Sequence, residues 1–87
     1  MFMIKELENL KKKLIYRASY RGTKEMDILL TSFVSKYIDQ LDTESLKELE
    51  IFLNFEDEII LNFYRYNISN NDIEKNKISK IFQKYKM

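Results

Sequence analysis

The 87-residue chain has no cysteine, no histidine and no proline, and it has a single glycine. Without cysteine there is no disulfide framework and no thiolate nucleophile. Without histidine the commonest general base and a common zinc ligand are gone as well. Carboxylates, lysine, tyrosine and hydroxyls are the catalytic equipment that remains, which sets a free-standing enzyme well behind a binding protein. No apolar run approaches the ~20 residues that a membrane span needs. The opening stretch MFMIKELENLKKKL is amphipathic, lacks a signal-peptide core followed by a small-residue cleavage site, and carries Glu6 and Glu8, unlike a transit peptide. The expectation is a cytoplasmic protein that does not insert into membranes.

Hydrophobic residues make up 45% of the chain and charged residues 33%, a globular and not a disordered profile. The length fits one domain, residues 1–87, with a thin core, since a chain of this size hides roughly 60–65% of its unfolded surface. The net charge is only +1, but it is segregated. Residues 1–22 carry six Lys/Arg against two Asp/Glu, residues 23–66 four against ten, and residues 67–87 five against two. A basic start, an acidic middle and a basic tail predict one polarised surface, not a general nucleic-acid binder.

Period-2 alternation and hairpin dipeptides are missing, whereas helical spacing recurs, so the fold class is all-α: a compact bundle of about five short helices with no sheet. The first is predicted from about Ile4 to Tyr20 on the stripe Leu7, Leu10, Leu14 and Ala18, with Gly22 ending it in a left-handed conformation. The second runs from about Thr23, its N-cap, to Ile38, with Met26, Leu29, Leu30, Phe33, Val34 and Tyr37 as its apolar face. The third opens at the N-cap Asp42 and uses Leu46, Leu49, Phe52 and Leu53. The fourth spans about Asp57 to Tyr66 with Ile59, Ile60, Phe63 and Tyr64. After the polar turn NISNND, a fifth is predicted from about Asp72 to Tyr85 on Ile78, Ile81, Phe82 and Tyr85, with fraying over the last few residues.

The first junction, Arg21-Gly22-Thr23-Lys24-Glu25-Met26-Asp27, concentrates charge around the one glycine. Arginines leave one helix at its C-terminal turn, and carboxylates enter the next at its N-terminal turn. The glycine leaves bare backbone between them, which a partner's main chain can approach closely. Arg21 has the fork to bind carboxylates or carbonyls, and Glu25 can accept from amides or a guanidinium. The same residues have an ordinary account: a helix stop, two charges that complement helix dipoles, and an internal Arg21–Glu25 ion pair worth about 0–1 kcal/mol if exposed.

The pattern Arg-Gly-x-x-Glu-x-Asp, here Arg21, Gly22, Glu25 and Asp27, behind a Lys-rich amphipathic helix, resembles the succinate dehydrogenase assembly factor family that promotes flavinylation. The following ILLTSFVSKYIDQLDTESLKELEIFLNFEDEIILNFY looks like that family's second to fourth helices. Leu30 and Phe33 fill its Leu-x-x-Phe pair, and Glu56, Asp57 and Phe63 its acidic turn and following aromatic. The resemblance covers roughly residues 7–66. Tyr20 stands where many members carry a basic residue, Phe63 where many carry Trp, and the fifth helix matches poorly. The resemblance implies a small helical protein that binds the flavoprotein subunit of succinate dehydrogenase, and often of fumarate reductase, and assists covalent attachment of FAD to a histidine of that subunit. It implies no catalytic residue here, no metal and no stably bound cofactor, because the FAD is held by the partner. The partner-binding set it suggests is Arg21, Gly22, Glu25 and Asp27, flanked by Arg17 and Tyr20. The alternative is a small helical interaction module of another kind, such as a nucleic-acid-associated regulator.

Six Tyr and six Phe are open to a base-stacking account, but Phe33, Phe52, Phe63 and Phe82 fall on apolar stripes, where core packing is expected. Lys11, Lys12 and Lys13 read as a solvated helix face, as do Lys75, Lys77, Lys80, Lys84 and Lys86. Glu56, Asp57 and Glu58 lack the ligand spacing and glycine turn of a calcium loop and read as charge at a helix N-terminus.

Overall fold

Among the described residues, four helices start where a short polar side chain takes over a backbone donor. The structure, a computed structural model, describes residues 4–68 and 70–86. Residues 1–3 of the amphipathic opening, Ser69 of the polar turn and Met87 lie outside the described residues.

Among the described residues there are six α-helices and no strand. They are α1 (Ile4–Ser19), α2 (Lys24–Tyr37), α3 (Thr43–Leu53), α4 (Asp57–Tyr66), α5 (Asn71–Lys75) and α6 (Lys77–Lys84), with a 3-10 turn at Ile38–Gln40 after α2. Thr23 caps α2 by accepting from the Met26 N–H at 3.2 Å, and Asp42 caps α3 by accepting from the Ser45 N–H at 2.8 Å, both as expected. That Ser45 hydrogen bond favours the charged carboxylate and lowers the pKa of Asp42 from its ordinary value.

The predicted fifth helix is two helices. Asn76 adopts an extended backbone and ends α5; its side-chain oxygen accepts from the Ile78 and Ser79 N–H groups at 2.9 and 3.0 Å and so starts α6. Asn70 caps α5 in the same way, through the Ile73 N–H at 2.9 Å. Asparagine competes with helix continuation because its short amide can bond the local backbone.

The register of the helices follows from their bridges. Thr31 Oγ1 donates to the Ala18 carbonyl and Lys11 reaches Asp39, so residue numbers on α2 fall as those on α1 rise, and the two are antiparallel. Lys13 pairs with Glu50 at 3.1 Å and Arg17 with Asn54 at 2.8 Å, so α3 runs parallel to α1, and Arg21 meets Asp57 at 2.7 Å, which sets the start of α4 beside the α1–α2 turn. Lys11 and Lys13 are therefore cross-helix partners, not a purely solvated face. Four described ion pairs, Lys11–Asp39, Lys13–Glu50, Arg21–Asp57 and Lys77–Glu44, each join a basic terminal segment to the acidic middle. Part of the charge segregation is thus paired off within the fold.

The core sits where the stripes converge. Leu14, Ala18, Met26, Leu30, Phe33, Leu46, Phe52, Ile60, Phe63, Ile73, Ile78 and Phe82 are buried in one cluster. Phe33 has the Phe82 ring at 5.0 Å and the Tyr85 ring at 5.3 Å, and Phe82 lies 5.2 Å from Phe52 and 4.8 Å from Tyr64. Ile81, placed on the apolar stripe by spacing, is exposed instead, and Ile73 from α5 fills the core. Tyr85, in the segment expected to fray, is buried, and its carbonyl accepts from the Tyr64 hydroxyl at 2.6 Å.

Candidate functional site

The turn between α1 and α2 is held from across the molecule. Arg21 follows the end of α1 and continues the stripe of Lys13 and Arg17 at four-residue spacing, which carries it over the α3–α4 turn. Its Nε donates to Asp57 Oδ1 at 2.7 Å, Nη1 to the carbonyls of Leu53 at 2.8 Å and Arg17 at 3.3 Å, and Nη2 to the Phe55 carbonyl at 3.0 Å. A rigid planar fork suits several fixed acceptors, which a lysine ammonium could not match. The second Asp57 oxygen accepts from the Gly22 N–H at 2.8 Å. Asp27 accepts from the Arg21 backbone N–H.

Gly22 is not in the left-handed region; Asn67, at φ 55°, is the described non-glycine residue that is. The expected left-handed stop is therefore replaced by a close approach: a Cβ on Gly22 would lie 3.2 Å from Asp57 Oδ2. The glycine leaves room for the carboxylate that accepts from its own N–H.

Five of the six suggested site residues divide into two groups. Arg21 and Asp27 turn inward to hold the turn. Tyr20, Gly22 and Glu25 are exposed, and Tyr20 packs on exposed Tyr16 with ring centres 4.7 Å apart. Glu25 pairs with Arg65 of α4 and not with Arg21. Arg17 is half-buried and bonded to Asn54. Asp57 is the member that the suggested set leaves out: the resemblance places it in the family's acidic turn, and its residue type reads there as helix N-terminal charge. The spacing of Lys13, Arg17 and Arg21 is the available signal, but the partners of that stripe lie 36 or 37 residues away.

The α1–α2 junction is thus a bridged turn with Gly22 exposed, bordered by the Tyr16 and Tyr20 rings and the Glu25 carboxylate. The family described as flavinator of succinate dehydrogenase, Sdh5, matches residues 12–86, and the chain belongs to that family. The chain is 38% identical over 60 residues to a Dictyostelium discoideum protein named succinate dehydrogenase assembly factor 2, mitochondrial, covering 69% of this chain and 43% of that one. It is 32% identical over 84 residues to the protein of the same name from Komagataella phaffii, covering 91% of this chain and 43% of that one. The Saccharomyces cerevisiae protein of that name is 38% identical over 48 residues, 55% of this chain and 30% of its own. The chain thus spans less than half the length of these relatives. No helix among the described residues is long and apolar enough to cross a membrane.

Proposed function

We propose that this chain is an assembly factor that binds the flavoprotein subunit of succinate dehydrogenase and promotes covalent attachment of FAD to it. The observation that carries this reading is the family match over residues 12–86, which contains Arg21, Gly22, Glu25 and Asp27 on one ordered turn. The reacting groups belong to the partner: its flavin loses a proton from the 8α-methyl group, its histidine nitrogen adds to the electrophilic methylene carbon so formed and gives up its own N–H proton, and the electron pair of the broken C–H bond leaves the flavin reduced, to be reoxidised by a two-electron acceptor. The cofactor carries the hard chemistry, and the assembly factor holds the partner in a productive geometry. This role needs no catalytic residue and no FAD site in the chain itself. The cytoplasm is the proposed compartment, although the matched relatives are named mitochondrial.

The test is co-expression with the cognate flavoprotein subunit, reading covalent flavin on the denatured subunit by in-gel fluorescence. Wild type is expected to raise the signal and a folded Gly22→Arg variant to leave it at background. A rise with both would move the docking site elsewhere, and no rise with wild type would refute the function. The same assay on the flavoprotein subunit of fumarate reductase tests whether it is a second client.

A further inference from the structure

We infer that Arg21 and Asp57 are positioning residues that lock the Gly22 turn, and that the partner meets the surface they leave open: the Gly22 backbone edge, Tyr16, Tyr20 and Glu25. This rests on the assembly-factor reading and assigns the work within its site. The Arg21 side chain is only 11% exposed and commits four hydrogen bonds to Asp57, Leu53, Phe55 and Arg17. An arginine so engaged has little left to offer a carboxylate from outside. Asp57 bridges its Nε to the Gly22 N–H, so one carboxylate from α4 fixes both the side chain before the glycine and the backbone of the glycine itself. Tyr16 and Tyr20, by contrast, are 65% and 74% exposed. Paired rings with few rotatable bonds are suited to serve as interface anchors at low entropic cost.

The experiment combines amide hydrogen exchange by NMR with direct binding to the purified flavoprotein subunit, for wild type, Asp57→Ala, Asp57→Asn, Arg21→Lys and the Arg21→Lys/Asp57→Asn double variant. Binding is measured well below each variant's unfolding midpoint, and Asp57→Asn keeps an acceptor for Gly22 should the alanine variant fail to fold. In Asp57→Ala the Gly22 amide is expected to exchange at least about tenfold faster while Leu30 and Phe52 stay protected, and binding is expected to weaken about five- to tenfold. Arg21→Lys keeps the charge and loses the fork, so it too is expected to weaken binding, and the double variant is expected to lose no more than the worse single one. Wild-type binding by Asp57→Ala with an unprotected Gly22 would overturn the positioning role, as would wild-type binding by Arg21→Lys or strictly additive losses. Failure of wild type itself to bind would overturn the assembly-factor reading and the positioning role with it; the exchange data would still decide separately whether the latch exists.

Discussion

Two joints in this molecule do opposite things with similar means. At Gly22 the chain turns on an exposed edge and is held by charged groups from a distant helix. At Asn76 it turns inside the core and is held by neutral groups, most of them local: Asn76 accepts from Ile78 and Ser79, Ser79 Oγ donates to the Asn76 carbonyl at 2.7 Å, and Asn76 Nδ2 donates across to the Glu48 carbonyl of α3 at 2.9 Å. Buried polar groups must be satisfied on the spot, because leaving one unpaired costs about 1–3 kcal/mol. An exposed turn has water to fall back on, so an extensive set of bridges there points to a need for one fixed shape. On the proposed function, the contrast separates a joint that stabilises from a joint that presents.

The largest effect is expected beside the buried joint. Phe82→Ala removes the ring that packs on Phe33, Phe52 and Tyr64 and should cost about 3–5 kcal/mol, measured by urea unfolding. Asn76→Ala removes the α6 cap and the cross-link to the Glu48 carbonyl of α3, for about 2 kcal/mol and a fall in melting temperature of about 10 °C. Flavoprotein binding by the folded fraction of either variant should be unchanged; a loss there would erase the division between the joints. Tyr20→Ala should do the reverse, changing stability by less than about 0.5 kcal/mol while weakening binding about three- to tenfold in a titration.

The smallest effect concerns Asp42. Its pKa is lowered in the fold, so its contribution is present above the unfolded value and lost as pH falls through the folded value. Asp42→Asn keeps an acceptor for Ser45 without the titration, and a weaker acid dependence of stability than wild type is the expected result.

Much of the fold is legible in the chain because helix signals are local. The stripes of α2 and α3 and the caps Thr23 and Asp42 stand where spacing puts them. The break at Asn76 is also a local signal, in the stretch EKNKIS, but the stripe of Ile78, Phe82 and Tyr85 reads through it as one helix. The site is legible in its position and not in its wiring: the sequence brings Arg21 and Glu25 together, whereas the structure gives Arg21 to Asp57 and Glu25 to Arg65.

The sequence by itself determined an all-helical chain, the absence of thiol and imidazole chemistry, the turn at Gly22 and the residues gathered there. Those follow from side-chain type and from spacing within a few residues. Only the tertiary structure decided that Arg21 faces inward, that Asp57 closes the turn and that Tyr16 and Tyr20 stay outside. The reason is physical: a charged side chain takes whichever partner packing brings within reach, and here the parallel placement of α1 and α3 brings a carboxylate 36 residues away to the guanidinium.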